Sequence, residues 1–331
     1  GSWSNVVSST QDDTPPSAAN PTPAPNDFTN TNTPTISVEI TDTTSGVNAS
    51  SIVMKVNNVE VSPTITPIEN GYKVEYTPTT QFSDGLVTVT IDASDNVGNA
   101  MSTYTWSFTV DTTAPSVTVT SPNGGEIWAG GSTQTIEWTA TDDNMADNPI
   151  TIYYSYDGGE WIQIATNEMN NGTYEWSLPT IDSTNVLIKI TAIDKAGNVG
   201  EDVSDSTFTI DSTNPTTEII SPAEGSWQSS NFDVTLTDND NVGLSQCKYR
   251  VLSWDGSDWQ VTKDWSARTC SATVTLTVGS DKDCRNEGTD TCKIEAYAID
   301  NAGNEGDIIS RTFSIDTVKP TTIDDYGSKD G

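Results

Sequence analysis

The sequence contains no histidine, and its 14 Lys plus Arg residues are outnumbered by 47 Asp plus Glu, which gives a formal net charge of −33. Without histidine, the chain lacks the commonest general base and the commonest transition-metal ligand. Basic surface, through which proteins bind nucleic acids and anionic membranes, is also scarce. The composition therefore argues against a nucleic-acid partner, and it favours a surface that attracts cations.

Long apolar segments are also missing. No run approaches the roughly 20 apolar residues of a membrane-spanning helix, so no membrane insertion is predicted for this segment. Cysteine is scarce, and the four cysteines all lie in the last third of the chain: Cys247, Cys270, Cys284 and Cys292. They show no paired Cys-x-x-Cys metal spacing, and their even number favours disulfides in an exported chain over free thiols in a reducing compartment.

The chain is organised by a motif, Ala-x-Asp-x-x-Gly-Asn, that occurs at residues 93–99, 192–198 and 298–304. Each copy lies between two runs of β-forming residues. A Gly-Asn pair in that position indicates a hairpin, because both residues accept positive φ. Each second run closes on an Asp that is followed four residues later by a Pro, and these pairs are Asp111 and Pro115, Asp211 and Pro215, and Asp316 and Pro320.

The spacing of the motif predicts three domains. Gly98, Gly197 and Gly303 are 99 and 106 residues apart, and domains of roughly 100 residues can each bury a core. Thr, Val, Ile, Tyr and Trp are abundant while aliphatic helix formers are sparse, which favours strands. The short strand-like runs, regularly spaced, predict an all-β chain of three tandem β-sandwiches. Short linkers stiffened by proline predict that the domains form an extended rod.

The predicted boundaries follow the Asp-x-x-x-Pro junctions. They are residues 1–11 for an N-terminal extension, 12–111, 112–211 and 212–316 for domains one, two and three, and 317–331 for the start of a further repeat or a tail. Residues 13–34 are expected to belong to domain one, with its first strand near residues 20–26. Residues 1–11, with the apolar Trp3, Val6 and Val7, are expected to contact a neighbouring subunit. The chain itself is therefore one predicted partner.

Residues 12–316 resemble the tandem bacterial and archaeal Ig-like repeats of large cell-surface or secreted proteins. The resemblance rests on the junctions, on strands that end in Thr-Asp, on the repeated motif and on Ser-Pro-Asn-Gly-Gly-Glu-Ile-Trp at residues 121–128. It implies Ig-like sandwiches and an extracellular or cell-surface location. It selects no function, because such modules serve as stalks, adhesins, surface layers and appendages of secreted enzymes.

Acidic residues recur at equivalent turns of the three repeats. In an Ig-type sandwich, the loop after the second strand and the loop before the last strand lie at one pole, where the chain also enters the domain. Acids from three elements should converge there. They are Asp12 or Asp13, Asp42 and Asp95 in domain one, Asp111, Asp142, Asp143 and Asp194 in domain two, and Asp211, Asp238, Asp240 and Asp300 in domain three.

These acids suggest structural calcium, which binds six to eight oxygens from carboxylates and carbonyls. The stretch Asp238-Asn-Asp240-Asn-Val-Gly243 has the alternating oxygen side chains of a tight metal loop. Its logic is similar to that of the interdomain calcium sites of cadherins. Domain one offers only Asp42 in this loop and is the least suited. The alternative is that these acids cap their own turns without metal.

Topology selects among the three possible disulfide pairings. Cys247 begins the third strand of domain three and Cys270 precedes the strand at 271–278, so both should lie at the pole where the chain enters. Cys284 follows that strand and Cys292 begins the next, so both should lie at the opposite pole. The predicted disulfides are therefore Cys247–Cys270 and Cys284–Cys292.

The tryptophans and two sequons complete the candidates. Trp138, Trp161 and Trp176 lie in or beside predicted strands and are expected in the core. Trp254, Trp259 and Trp265 cluster in domain three, where packing on their own sheet is the ordinary interpretation and a sugar-binding platform is the alternative. Asn48-Ala-Ser50 and Asn171-Gly-Thr173 lie in predicted loops and are candidate glycan acceptors.

No catalytic constellation is recognisable. Without histidine, a Ser or Cys nucleophile lacks its usual partner, and the acids recur in every repeat whereas an active site normally occurs once. The sequence predicts a non-enzymatic, extracellular structural or adhesive protein, a stalk or filament subunit stiffened by calcium. The alternatives are a module that binds a glycan or a surface protein, and an accessory region of a secreted hydrolase.

Overall fold

The computed structural model describes residues 11–321, which form three successive β-sandwich domains. Domain one contains β1 (Ser17–Thr22), β2 (Phe28–Thr29), β3 (Ile36–Thr41), β4 (Val53–Val56), β5 (Val59–Val61), β6 (Thr64–Ile68), β7 (Gly71–Tyr76), β8 (Gly85–Asp92) and β9 (Tyr104–Val110), with a 3-10 helix at Ala49–Ser51. Domain two contains β10 (Ser116–Ser121), β11 (Ile127–Ala129), β12 (Thr133–Thr141), β13 (Met145–Tyr156), β14 (Ile162–Glu168), β15 (Thr173–Ser177), β16 (Ser183–Asp194), β17 (Val199–Val203) and β18 (Phe208–Asp211). Domain three contains β19 (Thr216–Ser221), β20 (Trp227–Gln228), β21 (Phe232–Asn239), β22 (Leu244–Trp254), β23 (Trp259–Arg268), β24 (Thr273–Leu276), β25 (Gly288–Asp300) and β26 (Ile309–Ile315).

Each domain packs a smaller sheet against a larger one. The smaller sheets have the strand orders β1-β3-β7-β6, β10-β12-β15 and β19-β21-β24. The larger sheets have the orders β2-β9-β8-β4-β5, β11-β18-β16-β13-β14 with β17 also on β16, and β20-β26-β25-β22-β23. The shared order is that of an Ig-like sandwich, so the predicted fold class, tandem Ig-like β-sandwiches, is confirmed.

The start of each domain contains a short strand that the sequence did not predict. The first stretch of the domain is divided between the two sheets, so that β2, β11 and β20 pair in parallel with the last strands β9, β18 and β26. In domain one the first strand is β1, which begins before the predicted residues 20–26. The short crossing strands carry no alternating pattern, which is why the sequence does not show them. The predicted subunit contact of residues 1–11 lies almost wholly outside the described residues.

Alternation builds the three cores. Along β12, Ile136, Trp138 and Ala140 are buried while Glu137 and Thr139 face solvent, as the two-residue period of a strand requires. The last strand of each domain places a fully buried phenylalanine at the centre of its core, and these are Phe108, Phe208 and Phe313. Burying a side chain of this size stabilises a domain by roughly 1.5–3 kcal/mol.

The prediction that three tryptophans lie in the core is correct for two of them. Trp138 and Trp176 are buried, whereas Trp161 is 37% exposed. Trp161 lies between the turn that follows β13 and the start of β14, and its ring packs 4.8 Å from the Lys189 Nζ on the outer face of the sheet. It therefore makes a cation–π contact with a lysine rather than filling the core.

Both predicted disulfides are present in domain three. Cys247, on β22, bonds to Cys270, which follows β23, and Cys284 bonds to Cys292 on β25. The first joins the larger sheet to the connection that leads into β24. The second closes the loop that lengthens the third repeat. Among residues 11–321, no helix has the length and apolar character needed to span a membrane.

Candidate metal centre

Three acidic clusters lie at the poles where the chain enters the domains. They are Asp12, Asp42 and Asp95, then Asp111, Asp142 and Asp194, and finally Asp211, Asp240 and Asp300. In each cluster, one carboxylate oxygen per residue lies within 4.8 Å of the others. One acid lies where the chain enters the domain, one follows the second strand of the smaller sheet, and one belongs to the repeated Ala-x-Asp-x-x-Gly-Asn motif. The structure thus brings together the three elements that the repeat pattern predicts.

The cluster between domains two and three is the least satisfied. The Asp211 Oδ1 accepts hydrogen bonds from the Thr213 N–H and the Asn241 Nδ2, each at 3.1 Å. The Asp240 Oδ2 accepts from the backbone N–H groups of Val242 and Gly243, each at 2.8 Å. The Asp211 Oδ2 and the Asp240 Oδ1 are buried and have no hydrogen-bond partner within the described residues.

Two unpartnered carboxylate oxygens in one buried cluster need compensation, because burying an unpaired charge is costly. Asp211 is 0% exposed. Burial raises the pKa of its carboxyl, and the nearby Asp240 and Asp300 carboxylates raise it further, against the hydrogen bonds from Thr213 and Asn241. A divalent cation would supply the missing positive charge, since calcium takes hard oxygen ligands of this kind. Asp211, Asp240 and Asp300 therefore fit a calcium ion.

The third acid of this junction is held by its own turn. The Asp300 Oδ1 accepts the N–H groups of Gly303 and Asn304 at 2.7 and 2.9 Å, and its Oδ2 accepts the Asn304 Nδ2 at 2.8 Å. Asp194 is held by Asn198 in the same way at the preceding junction. These bonds orient each carboxylate toward its linker.

The cluster between domains one and two is partly satisfied. The Asp111 Oδ2 accepts the Asn144 Nδ2 at 2.8 Å, and its Oδ1 accepts the Thr113 N–H at 3.2 Å. The Asp142 Oδ1 accepts the Asn144 N–H at 2.7 Å. Asp111 thus has a bond to each oxygen, unlike Asp211, so this junction has less need of a cation.

The cluster of domain one is closed by hydrogen bonds. The Asp42 Oδ1 accepts three backbone N–H groups at 2.9 Å, and the Asp95 Oδ1 accepts three more at 2.6–3.0 Å. Hydrogen bonds from Ser45 and Thr14 hold the pKa of Asp12 below its ordinary value. Backbone donors already stabilise these anions, as in the turn-cap alternative.

Three predicted ligands lie outside the clusters. Asp238 faces the interior, where its carboxylate pairs with Arg268 and accepts bonds from Thr217 and Ser271. Asp238 lies within β21, whereas Asp240 follows that strand and reaches the linker, so the prediction was wrong for Asp238. Asp143 lines a cleft beside the second cluster without joining it. Of Asp12 and Asp13, the structure brings Asp12 to the cluster.

The asparagine of each repeated motif has a role that the sequence interpretation missed. Gly98, Gly197 and Gly303 do adopt positive φ. The asparagine that follows each glycine instead extends its side chain to the linker. The donors are the Nδ2 groups of Asn99, Asn198 and Asn304, and the acceptors are the carbonyls of Asp12, Asp111 and Asp211, at 2.9–3.0 Å. The invariance of asparagine across the three copies is the signal that could have revealed this bridge.

Three further acids, Asp84, Asp182 and Glu287, were also missed. Each directly precedes the strand that leads into the repeated motif, which is β8, β16 or β25, and accepts a hydrogen bond from a hydroxyl residue of the next linker. Sequence separations of about 30 residues hide these pairs, although an acid before that strand and a Ser or Thr after the linker Asp recur in all three repeats.

The tryptophan cluster of domain three packs on its own sheet. Trp254 and Trp259 make an edge contact at 5.6 Å between ring centroids, and Trp265 contacts Tyr297 at 4.9 Å. The Arg250 guanidinium lies 4.9 Å from the Trp265 ring, and the Lys293 Nζ lies 4.7 Å from the Trp259 ring. One cation thus lies over one face of each of these two rings, a face that a sugar platform would leave open.

Both candidate glycan acceptors lie in loops. Asn48 caps the 3-10 helix, with its Oδ1 accepting the Ser50 N–H at 3.1 Å, and Asn171 accepts the Thr173 N–H at 3.1 Å between β14 and β15. Asn171 is exposed and Asn48 is half-buried. Glycosylation of these residues stays a prediction.

Comparison with known proteins agrees with the fold. The family model of the bacterial Ig-like domain matches residues 216–317, which form domain three. No curated protein sequence matches the chain. The fibronectin(III)-like modules of Clostridium thermocellum CbhA are 17% identical, with a TM-score of 0.33 over 63% of this chain and 99% of theirs.

Two multidomain immunoglobulin structures are also similar. The immunoglobulin domains 1–5 of Sidekick-1 are 11% identical, with a TM-score of 0.35 over 92% of this chain and 59% of theirs. The eight N-terminal Ig domains of the Down syndrome cell adhesion molecule are 12% identical, with a TM-score of 0.30 over 91% of this chain and 36% of theirs. All of these TM-scores lie below 0.5, and the assignment of the fold rests on the sheets themselves.

Proposed function

We propose that the protein is a non-enzymatic extracellular structural or adhesive protein, a stalk or filament subunit whose domain junctions are stiffened by calcium. The observation that carries the proposal is the pair of unpartnered buried oxygens, Asp211 Oδ2 and Asp240 Oδ1. Asp211 ends β18 of domain two and Asp240 belongs to domain three, so a cation that binds both couples the two domains.

Repetition supports a structural role. The acids occupy equivalent places at all three poles, and the whole sequence has no histidine to serve as a general base. An extracellular location is supported by two disulfides in a chain with four cysteines, because disulfides persist in oxidising compartments. The partners that we propose are a second copy of the chain, a surface protein or a glycan. A place beside the catalytic domain of a secreted hydrolase is the alternative setting.

Calcium is expected to raise the melting temperature of the protein, and chelation to lower it. A ligand that binds only the folded state stabilises it by about 2.7 kcal/mol at a hundredfold excess over Kd. The calcium-dependent shift should be lost in Asp240→Asn, because the variant replaces a buried anionic oxygen that has no other partner. Differential scanning calorimetry in calcium and in EDTA measures both effects.

Asp143→Asn is the matched control, because it removes an equivalent charge beside a cluster without belonging to it. It should retain the calcium response of the parent. A parent protein whose melting is identical in calcium and in EDTA would show that the acids are turn caps, and calcium would then be excluded from the proposal.

An elongated particle is the second expectation. Linkers bounded by Asp and Pro leave few free torsions, and calcium at a junction removes carboxylate repulsion. Small-angle X-ray scattering in calcium should give the pair-distance distribution of a rod, with a long tail. A symmetric distribution, as for a compact particle, would contradict the rod.

A further inference from the structure

Each linker is held by the domain that precedes it. The Asp84 Oδ1 accepts the Thr112 N–H at 3.1 Å and the Thr112 hydroxyl at 2.9 Å, while its Oδ2 accepts the Thr113 hydroxyl at 2.8 Å. Asp182 accepts the Ser212 N–H at 2.6 Å and the Thr213 hydroxyl at 2.8 Å. We call each acid with its hydroxyl residues a linker clamp.

The topology places the clamp acid. The first residue of β8 pairs with the last residue of β9, as Gly85 with Val110, and the equivalent pairs are Ser183 with Ile210 and Gly288 with Ile315. Asp84, Asp182 and Glu287, which directly precede Gly85, Ser183 and Gly288, therefore lie beside the linker residues that follow the last strand. Glu287 accordingly reaches Thr317, bonding its N–H at 2.8 Å and its hydroxyl. The third clamp is therefore formed entirely by Glu287 of domain three and Thr317 of the linker that follows that domain.

The following domain holds the other side of the linker. A β-carbon at Gly200 would lie 1.8 Å from the Pro115 carbonyl oxygen, and one at Gly306 would lie 2.3 Å from the Pro215 carbonyl oxygen. No side chain fits in so small a gap, so each glycine allows its proline to pack directly on the following domain. The asparagine bridges to the linker Asp carbonyls act from the same side.

We propose that Asp84 and Asp182 are positioning residues that attach the linker to the preceding domain, so that residues 114 and 214 are the only hinge positions left. The clamp fixes residues 212–213, so the linker leaves β18, whose last residue is Asp211, in one direction toward the acidic loops of domain three. This inference deepens the proposed function, because it names what orients the linker ligand, but the clamp itself requires no cation. Hydrogen bonds from Thr112 and then Thr113 hold the pKa of Asp84 below its ordinary value, which keeps the clamp charged at neutral pH.

The test measures the distance between domains two and three in the full chain. Cysteines replacing the exposed Thr139 and Glu218 carry spin labels, and double electron–electron resonance reports the distance distribution in EDTA. The parent should give one narrow distribution without calcium. Asp182→Ala should lose it and give a broad one, whereas Asp182→Asn, which retains a hydrogen-bonding oxygen, should stay closer to the parent.

Two variants complete the design. Thr213→Val keeps Asp182 and removes the hydrogen bond that the Thr213 hydroxyl donates to it. This variant should also broaden the distance distribution. Asp84→Ala makes the identical change at the other linker and should leave the distance between domains two and three unaltered. A narrow distribution in Asp182→Ala would overturn the proposal, as would a parent that is broad in EDTA and narrows only in calcium. The latter result would leave the calcium junction standing, so the two proposals fail separately.

Discussion

Replacing Arg268 by Leu is expected to destabilise domain three by about 3–5 kcal/mol, because the change leaves a buried carboxylate without its partner. The Arg268 guanidinium bonds both oxygens of Asp238 at 2.6 Å, and the two side chains are 2% and 0% exposed. Chemical denaturation of the parent and the variant at neutral pH measures the loss in the free energy of unfolding.

The same pair predicts a dependence of stability on pH. Burial alone would raise the pKa of Asp238, but hydrogen bonds from Arg268, Ser271 and Thr217 outweigh it and lower that pKa below 3.8. The stabilisation is therefore fully present above the pKa of the unfolded state, and it is lost as the pH falls through the lower pKa of the folded state. The Arg268→Leu variant should lack this acid-dependent component.

Two controls distinguish the effect of burying an ion pair from the effect of pairing charges at an exposed site. Lys73→Ala removes a pair, with Glu75, in which both side chains are more than 40% exposed, and it should cost no more than about 1 kcal/mol. The double variant Asp238→Asn, Arg268→Leu removes both charges and should recover part of the loss. If Arg268→Leu costs no more than Lys73→Ala, the buried pair does not stabilise the domain as proposed.

Repetition is what made the architecture predictable. The recurrence of Gly98, Gly197 and Gly303 between β-rich runs marks the same turn in each domain, and alternation along β12 gives the core face. Topology then sufficed to pair Cys247 with Cys270, because the ends of short strands in a sandwich can lie at only two poles. The same argument predicted that the linker acids lie beside the loops of the following domain.

The features that the sequence did not reveal depend on contacts between distant residues rather than on a repeated sequence pattern. Asp238 and Asp240 are two residues apart and look equally suited to a metal, but only the place where β21 ends decides which one reaches the linker. The competing partner, Arg268, is 30 residues away. The linker clamps were missed for the same reason, since an exposed Asp before a strand is ordinary until its hydroxyl partner is known. The short crossing strands carry too few residues for a period to be recognised.

Removing either disulfide should cause a large loss in the free energy of unfolding, and the two losses should differ in size. Cross-links reduce the entropy of the unfolded chain by an amount that rises with the logarithm of loop length. The Cys247–Cys270 bond spans 23 residues and the Cys284–Cys292 bond spans 8. That relation gives losses of about 3.4 kcal/mol and about 2.5 kcal/mol when each pair is replaced by alanine.

Packing adds to these losses, because Cys247, Cys284 and Cys292 are fully buried and their truncation leaves cavities. The free energies of unfolding of Cys247→Ala/Cys270→Ala and Cys284→Ala/Cys292→Ala, each against the parent, give the two values. Replacing Cys284 and Cys292 by valine, which refills the space, separates the cavity from the cross-link. A larger loss for the shorter loop after refilling would contradict the entropic argument.

The longer cross-link should also be coupled to the buried ion pair. The Asp238 carboxylate lies within 4.8 Å of the sulfur atoms of Cys247 and Cys270. The bond joins β22 to the segment that carries Ser271, which itself donates to Asp238 at 2.7 Å. Groups that share one network lose their stabilising contributions non-additively. Combining Arg268→Leu with loss of Cys247–Cys270 should therefore cost less than the sum of the two separate losses, whereas combining it with loss of Cys284–Cys292, at the opposite pole, should be additive. Additive losses in both combinations would show that the ion pair and the disulfide stabilise domain three independently.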